Sequence, residues 1–440
     1  MTILILGGGG REHALAWRLA RDPSRPALVC APGNPGMQGL ARLEPVDPAD
    51  PDAAAALAAR VDARLTIVGP ELPLSRGVVD RFTTLGLSIL GPTRAAAALE
   101  CSKVFAKAFM RRQGVPTAAH EVCDTAADAL AVLTTGRFGY PVVLKADGLA
   151  AGKGVVVAPD PASAEEAVNA MMRDRRFGEA GDRLVIEECL DGPELSYFVL
   201  SDGERVLPLG SAQDHKRAFD EDRGPNTGGM GAFAPSPLCD ERLEGRILDE
   251  IVEPVVAGMR AEGHPYRGFL YCGLMLTADG PQVIEFNVRF GDPEAQVVLP
   301  LIDGDLVEVF AAAAAGDLRG YTVRAAPGCA VGVVLASGGY PGVFETGKII
   351  EGLDAAAAVP DVTLFHAGTA LRDGQLVTAG GRVLTIVARG ADYASAVSRA
   401  YEAVAQIRFQ GAHARTDIGR KALLISPHVR STSALRSPSS

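Results

Sequence analysis

The most informative run of residues in this 440-residue chain is Gln282-Val-Ile-Glu-Phe-Asn-Val-Arg-Phe-Gly-Asp-Pro-Glu294. Alternation along a β-strand places Glu285, Asn287 and Arg289 on one face and the apolar residues, beginning with Ile284, on the other. Mg²⁺ and Mn²⁺ prefer oxygen ligands, and Mg²⁺ is usually held by few protein groups together with nucleotide phosphates. We therefore expect Glu285 and Asn287 to bind the metal and Arg289 to clamp a carboxylate or phosphate. An ordinary half-exposed strand has the same alternation, but the Gly-Asp-Pro-Glu turn that follows favours a site.

A second run, Tyr140-Pro-Val-Val-Leu-Lys145-Ala-Asp-Gly-Leu-Ala-Ala-Gly-Lys-Gly154, joins a strand to a glycine-rich loop. Glycines let backbone N–H groups approach phosphates closely. The loop is not a Walker P-loop, because Gly154 stands where that motif needs Ser or Thr. A simple hairpin tip is the alternative, but only seven of the 43 basic residues are lysine, and three of them fall in or near this region. The expected phosphate contacts are Lys103, Lys145, Gly148, Gly152, Lys153 and Gly154.

The run Val185-Ile-Glu-Glu-Cys-Leu-Asp-Gly-Pro-Glu194 is an apolar strand that leads into a turn. Backbone N–H and C=O groups at such a turn can pair with an adenine edge, and a nearby carboxylate can hold ribose hydroxyls. We expect Glu187, Glu188 and Leu190 to lie at the adenine and Glu194 at the ribose. A strand with a polar cap would give the same pattern.

Charged residues also stand beside glycines in Gln213-Asp-His-Lys-Arg217 and in Gly224-Pro-Asn-Thr-Gly-Gly-Met-Gly231. Backbone dipoles and side-chain donors in such a segment can build a substrate pocket, whereas a solvated loop is the alternative. The expected pocket residues are Asp214, His215, Lys216, Asn226, Thr227 and Gly228.

Glycines at the N-terminus, Gly7-Gly-Gly-Gly-Arg-Glu-His-Ala-Leu15, follow the first predicted strand. They resemble a dinucleotide fingerprint, but the third glycine of that motif is missing and no acidic residue follows the second strand, so NAD binding is not expected. A helix N-terminus behind glycines still suits a small anion. The turn at Gly69-Pro-Glu71 follows another strand, where open α/β sheets place ligands.

The pattern of strands and helices predicts an α/β and α+β multidomain protein. Short strands alternate with helices up to about residue 90, which is typical of a parallel sheet, and a helix is predicted over residues 94–112. A small lid of strands follows, and then a long helix and an antiparallel hairpin turned at Ala278-Asp279-Gly280. The expected divisions are a Rossmann-like substrate domain at 1–101, a second domain at 102–325 with its lid at about 116–192, a mostly β domain at 326–426 and a disordered tail at 427–440.

Composition excludes several classes of function. The net charge of −10 and the absence of a basic stripe argue against nucleic acid as a partner. No run of about 18 apolar residues predicts a membrane helix. The start of the chain lacks the pattern of a signal peptide, and the seven cysteines are scattered, so we expect a cytoplasmic protein.

Several of these motifs, in this order, resemble the phosphoribosylamine-glycine ligase family, also called glycinamide ribonucleotide synthetase, from Ile3 to about Leu424. The resemblance rests on residues 9–15, 145–154, 225–231 and 289–296, and on the C-terminal runs 336–342, 365–369 and 378–383. It implies an ATP-grasp fold between a Rossmann-like N-terminal domain and a mostly β C-terminal domain. Two departures are Cys101, where small Gly or Ser is usual, and Asp220-Glu-Asp222 in place of Asp-Gly-Asp, which we expect to stiffen the loop.

The resemblance also implies a reaction and its ligands. ATP, glycine and 5-phosphoribosylamine would give glycinamide ribonucleotide, ADP and phosphate, in a monomer or a dimer. Glu285 and Asn287 would hold Mg²⁺ or Mn²⁺, and the phosphate and adenine residues named above would hold ATP. The residues expected at the substrates are Gly9, Gly10, Arg11, Glu12, His13, Glu71, Lys216, Asn226, Thr227, Gly228 and Arg289.

The chemistry expected of such a site is activation of a carboxylate as an acyl phosphate, with no protein nucleophile. Lys145, Arg289 and the metal would neutralise charge, and the glycine-rich lid would exclude water. The proton of the attacking amine could pass to Asp214, His215 or Asp292, which the sequence does not distinguish. Two alternatives are another ATP-grasp ligase of purine metabolism and a nucleotide-binding protein without turnover.

Overall fold

A computed structural model describes residues 1–149 and 154–429, and the predicted loop residues Gly152 and Lys153 lie outside this range. The N-terminal region is a parallel sheet in the order β3-β2-β1-β4-β5, as the alternating pattern predicts. Its strands are β1 Thr2–Gly7, β2 Ala27–Pro32, β3 Arg42–Leu43, β4 Ala63–Val68 and β5 Ile89–Leu90. Its helices are α1 Gly10–Leu19, α2 Pro51–Arg60, α3 Glu71–Ser75 and α4 Val78–Thr84.

The turn after β1 has no room for a side chain at Gly8. A Cβ atom added there would lie 2.5 Å from the carbonyl oxygen of Gly33, which is backbone and cannot rotate away. We expect Gly8→Ala to lower the free energy of unfolding by about 1–3 kcal/mol, as overpacking does. Chemical denaturation measures this, with Gly39→Ala as the control, because a Cβ at Gly39 meets no atom of the described residues within 4 Å. Equal losses in the two variants would contradict the prediction.

The helix predicted over 94–112 is wrong as a single element. It is two helices, α5 Ala98–Cys101 and α6 Lys103–Gln113, because Ser102 between them is extended at φ −137° and ψ 112°. The Ser102 hydroxyl accepts a hydrogen bond of 3.0 Å from the backbone N–H of Phe105, which makes it the N-cap of α6. This break places Lys103 at the first position of α6.

The lid is a four-stranded antiparallel sheet in the order β6-β9-β7-β8, with two helices and an apolar core of its own. Its elements are β6 His120–Cys123, α7 Ala126–Thr134, β7 Val142–Ala146, β8 Val155–Ala158, α8 Pro161–Val168 and β9 Leu184–Glu188. The sequence predicted a small lid of strands, including β7 and β9, and missed β6 and α7.

The central region holds the predicted hairpin, β15 with β16, and two long strands that the sequence missed, β10 and β11. Its elements are β10 Glu194–Asp202, β11 Val206–Asp214, β12 Arg217–Phe219, β13 Arg223–Asn226, β14 Gly231–Ala234, α9 Glu241–Ile247, α10 Glu253–Ala261, β15 Arg267–Thr277 and β16 Gly280–Asn287. The hairpin contains a bulge: Gly273 pairs with Glu285, whereas Leu274 pairs with Val283, so Ile284 is the extra residue.

This bulge corrects one detail of the predicted alternation. The core holds Val283, Phe286 and Val288, whereas Ile284 is half-buried and falls outside the alternation of inward and outward side chains. From Glu285 onward the alternation holds as predicted.

The C-terminal strands Cys329–Ala336, Val362–His366 and Arg382–Gly390 do not form a separate sheet. Through β14, they extend the central sheet to the order β16-β15-β10-β11-β14-β19-β23-β20. The elements are α11 Glu294–Val298, β17 Ile302–Asp303, α12 Leu306–Ala315, β18 Arg324–Ala325, β19 Cys329–Ala336, α13 Leu353–Ala357, β20 Val362–His366, β21 Thr369–Arg372, β22 Gln375–Thr378, β23 Arg382–Gly390, α14 Tyr393–Val404 and α15 Arg420–Val429. Helix α15 continues beyond residue 426, where the tail was expected to begin. The other domain boundaries stay predictions.

One apolar core joins the N-terminal sheet to the central region. It includes Ile3 and Leu15 from the first region, Phe198 and Phe290 from the second, and Phe365 from β20. The turn after β1 is thereby held close to the turn after β16. None of the helices in the described ranges is long and apolar enough to cross a lipid bilayer.

Candidate active site

The predicted metal face forms at the end of β16. The Arg289 guanidinium donates a hydrogen bond of 3.4 Å from Nη2 to Oδ1 of Asn287, which confirms that these side chains lie on one side. The Glu285 carboxylate accepts no hydrogen bond from any described residue. Although burial raises the pKa of Glu285, the ammonium groups around it, Lys216 first, hold that pKa below its ordinary value. An ionised carboxylate with free oxygens beside an amide oxygen fits a hard divalent cation.

This donor set suits a metal that also binds phosphates. Within residues 1–149 and 154–429, no group of three or more His, Cys, Asp or Glu side chains is arranged to hold a metal ion. Two protein oxygens leave most of an octahedral shell to water and nucleotide oxygens, as is usual for Mg²⁺.

Three lysines face Glu285, two of them predicted as phosphate contacts. The Lys103 ammonium donates to the carbonyl of Gly148 at 3.0 Å, and the Lys145 ammonium donates to the carbonyl of Ile284 at 3.0 Å. Lys216, expected at the substrate, forms an ion pair with Glu194 at 2.7 Å. Its charge acts on Glu285 together with those of Lys103 and Lys145. The structure thus gathers cationic groups from α6, β7 and the segment after β11.

Arg289 makes more protein contacts than the predicted clamp requires. Its Nε lies 3.3 Å from Glu71 and its Nη2 lies 3.1 Å from Glu100, a buried carboxylate that the sequence analysis missed. Its Nη1 donates to the carbonyl of Phe290 at 3.2 Å. With the bond to Asn287, four of its five N–H groups have protein partners. Arg289 therefore orients the metal face, and a clamp on a substrate anion stays a prediction.

The side chains of the acidic residues expected at the nucleotide form ion pairs or hydrogen bonds with other protein groups. Glu187 is buried and forms ion pairs with Lys107 and Lys145. Glu188 accepts a hydrogen bond of 2.8 Å from the backbone N–H of Ala119. Only Glu194 is well exposed. Adenine recognition at Glu187, Glu188 and Leu190 would thus fall to backbone groups, and it stays a prediction.

Asp214, at the end of β11, faces the metal side. Burial raises its pKa to about 7; Lys216 opposes that rise, and Glu294, Glu194 and Glu285 add to it. Glu294 is buried at the start of α11, with Ser196 Oγ 3.4 Å from its Oε1. The sequence analysis missed Glu294 as a site residue because it lies in a helix beyond the strand whose alternation was the signal.

His215 lies on the opposite side from Asp214, because successive residues of an extended chain point to opposite faces. Its ring packs edge-on against Phe233, with the centroids 5.9 Å apart. Burial lowers the pKa of His215 to about 4, and the positive charges of Lys421 and Arg415 add to this effect. Neither ring nitrogen has a hydrogen-bond partner among the described residues. The ring thus packs against an aromatic side chain, and a catalytic role for His215 stays a prediction.

Asp292 belongs to an ion pair between two regions. Its carboxylate lies 3.3 Å from Nη1 of Arg382 and accepts a hydrogen bond of 2.9 Å from Gln296. Burial raises its pKa, but Arg382 and Arg11 outweigh that effect and hold the pKa below its ordinary value. An aspartate that stays ionised in this way is a poor proton acceptor, so of the three predicted acceptors the geometry favours Asp214.

The predicted substrate loop is fixed from both sides. Asn226 ends β13, and Thr227 donates to the carbonyl of Lys216 through both its N–H, at 2.7 Å, and its hydroxyl, at 2.9 Å. Gly228 donates to the hydroxyl of Tyr340 at 3.0 Å, and its carbonyl accepts from Arg382. The sequence analysis missed Tyr340 and Arg382 because both are more than 100 residues away.

Two residues of the departure at Asp220-Glu-Asp222 have left-handed backbone angles. Glu221 stands at φ +59° and Asp222 at φ +52°, in the left-handed region that favours glycine. Arg415, which is fully buried, holds this bend through Asp222 at 2.9 Å and Asp417 at 2.7 Å. The predicted stiffening is untested.

The N-terminal residues expected at the substrate lie close to Asp292: a Cβ added at Gly9 would be 3.6 Å from Oδ2 of that residue. Glu12 accepts bonds of 2.6 Å from the N–H of Gly9 and from Nε of Arg11. Nδ1 of His13 accepts from the N–H of His366 at 2.8 Å. Burial and the neighbouring His366 lower the pKa of His13 to about 3. Glu12 and His13 therefore hold the fold through their side chains, and Gly10, at the start of α1, stays a predicted contact.

A small antiparallel lid beside a larger sheet that carries the metal face is the architecture of the ATP-grasp enzymes. A biotin carboxylase domain from Hydrogenobacter thermophilus, solved with MgADP and bicarbonate, shares the fold with a TM-score of 0.72. That match has 19% identity and covers 94% of this chain and 91% of the other.

Three family models match the chain in order: the phosphoribosylglycinamide synthetase N domain at residues 1–100, its ATP-grasp (A) domain at 101–295 and its C domain at 330–421. The chain belongs to the phosphoribosylglycinamide synthetase family, a family of ligases.

Individual relatives agree with this assignment. The phosphoribosylamine–glycine ligase of Vibrio vulnificus is 49% identical over 96% of this chain and 99% of its own length. That of Pseudomonas aeruginosa is 50% identical over 96% and 98%. The crystal structure of the Thermotoga maritima enzyme has a TM-score of 0.82 and 34% identity, and covers 95% of this chain and 100% of the other.

Proposed function

We propose that this enzyme joins glycine to 5-phosphoribosylamine with the use of ATP, giving glycinamide ribonucleotide, ADP and phosphate. The observation that carries the proposal is the face at Glu285 and Asn287, opposite three lysines and beside the half-buried Asp214. The family and its relatives, which carry the name phosphoribosylamine–glycine ligase, support the choice of substrates.

The residues divide the work of activating a carboxylate. MgATP, when bound, supplies the phosphoryl group that turns the glycine carboxylate into an acyl phosphate. Glu285 and Asn287 would hold the metal, with Mn²⁺ as an alternative to Mg²⁺. Lys103 and Lys145 neutralise phosphate charge, and Arg289 keeps Asn287 in place. The lid sheet excludes water, which would otherwise hydrolyse the acyl phosphate.

Asp214 takes the proton that the attacking amine loses. A general base works best when its pKa lies near the working pH, and burial raises the pKa of Asp214 to about 7. Lys216 lies beside it and balances the charge that remains when Asp214 is ionised. Asp292 positions the substrate loop through Arg382 and does not take part in proton transfer.

The seven cysteines are free thiols, in keeping with a cytoplasmic enzyme. We further propose that it acts as a monomer.

ADP release is the direct test of the proposed reaction. We expect release that requires glycine and phosphoribosylamine together, because the acyl phosphate is protected until the amine arrives. Reactions that lack one substrate serve as controls, and alanine in place of glycine tests the size of the pocket. ADP release in the absence of both glycine and phosphoribosylamine, or a preference for another carboxylic acid, would contradict the proposal.

A further inference from the structure

A buried lysine, Lys107, stands one helical turn after the half-buried Lys103. Lys107 lies on α6, and its Nζ is 2.5 Å from Oε2 of Glu187, while Lys145 pairs with the other carboxylate oxygen. The side chains of Lys107, Glu187 and Lys145 are 3%, 4% and 6% exposed. One carboxylate is thus shared by two ammonium groups inside the protein.

Both ammonium groups are also tied to the strand that carries the metal face. Lys107 donates to the hydroxyl of Thr117 at 2.7 Å, and Thr117 donates to the carbonyl of Val283 at 2.7 Å. Lys145 donates to the carbonyl of Ile284 at 3.0 Å. These two carbonyls flank the bulge directly before the metal face. The neighbouring carbonyls of the bulge thus accept from Thr117 and from Lys145, so Lys145 is linked to β16 directly and Lys107 is linked to it through Thr117.

The charges of this cluster do not cancel. Burial lowers the pKa of Lys107 to about 8 although Glu187 opposes this, so Lys107 is mostly protonated at neutral pH. Lys145 and Lys107 hold the pKa of Glu187 below its ordinary value despite its burial. Two cations and one anion leave a net charge of +1 on the side where phosphates are expected. If Lys107 were absent, Glu187 and Lys145 would form a neutral pair.

We propose that Lys107 is a positioning residue for nucleotide binding: it offsets the charge of Glu187 so that the ammonium of Lys145 stays available to the anionic phosphates. This inference rests on the proposed use of ATP and adds a residue to which no nucleotide contact is assigned. In this role Lys107 acts through Glu187 and would not contact the phosphates itself.

Calorimetric titration of the full-length protein with MgADP tests the proposal. We expect Lys107→Met to weaken MgADP binding by about tenfold or more, since truncating one partner of a buried charge pair has effects of this size. The double variant Lys107→Met with Glu187→Gln should recover most of the affinity, because no carboxylate then competes for Lys145. Lys107→Arg should stay close to wild type. Arg112→Met, on the same helix at an exposed pair with Glu262, is the matched control.

Recovery in the double variant separates this role from simple packing, since a packing defect would deepen with the second substitution. The proposal is overturned if Lys107→Met binds MgADP like the wild type, or if the double variant binds as weakly as Lys107→Met alone. The double variant removes the charges of Lys107 and Glu187 together and leaves that of Lys145, so it keeps the test valid if Lys107→Met does not fold. Because the readout is nucleotide binding, failure of wild-type protein to ligate glycine would overturn only the proposed function.

Discussion

Glu285→Gln is expected to lower kcat for ADP release by about 10³-fold, the size of effect seen when one preorganised electrostatic group is lost from an active site. The change keeps the shape of the side chain and removes the charge that would hold the metal. Lys216, Lys145 and Lys103 would then face each other across an uncharged amide. We therefore also expect a higher Mg²⁺ concentration to be needed for half-maximal activity.

Two measurements check this result: steady-state ADP release and its dependence on Mg²⁺ concentration. Glu250→Gln is the matched control, because it makes the same chemical change at an exposed pair with Arg246, 2.7 Å away. That variant should keep the wild-type kcat. Wild-type turnover in Glu285→Gln would remove Glu285 from the metal site.

Local patterns predicted the parts of the site that one strand or one turn determines. The shared face of Glu285, Asn287 and Arg289 follows from strand alternation, and the structure has it from Glu285 onward. The bulge at Ile284 was not predictable, because it depends on how β15 pairs with β16. Likewise, the break at Ser102 depends on a capping bond that a helical pattern of apolar residues does not reveal.

The sequence also did not predict which charged residues distant in the chain contact each other. Glu100 pairs with Arg289, Lys107 with Glu187, and Arg382 with the turn at Asp292, and each pair lies on different elements. Buried charges need such partners, since desolvation is costly for a lone ion. The sequence shows that the charges exist but not which of them meet. The same limit explains why the sequence did not distinguish the three predicted proton acceptors.

The cationic side chains around the site have two roles: some are held by protein partners, and others keep donors available for ligands. Arg289 is held by Glu71 and Glu100 and has little donor capacity left for ligands. The lysines are different, because Lys103 and Lys145 each make a single hydrogen bond to a carbonyl in addition to any ion pair. An ammonium has three donors, so each can still reach a phosphate. The metal face is thus fixed by arginine, and charge for ligands comes from lysine.

Asp214→Asn is expected to lower kcat by about 10²–10⁴-fold, the usual contribution of a general base, while MgADP affinity stays close to wild type. Asparagine keeps the size of the side chain but cannot accept the proton of the attacking amine. His215→Gln, on the opposite face of the same segment, should leave kcat close to the wild-type value. Equal losses of kcat in the two variants would contradict the assignment of Asp214.

The same substitution should make the protein more stable at alkaline pH. Because the pKa of Asp214 is raised on folding to about 7, its contribution to stability is fully present below the ordinary aspartate pKa and is lost as the pH rises through about 7. Asparagine does not ionise, so Asp214→Asn should exceed the wild type in free energy of unfolding above neutral pH, and the difference should shrink as the pH falls toward the ordinary aspartate pKa. Chemical denaturation at about pH 5 and about pH 8 measures this difference. A variant that loses turnover and gains stability only on the alkaline side would mark Asp214 as a carboxylate kept in a costly environment for its chemistry; a uniform loss of stability would instead mark it as a structural residue.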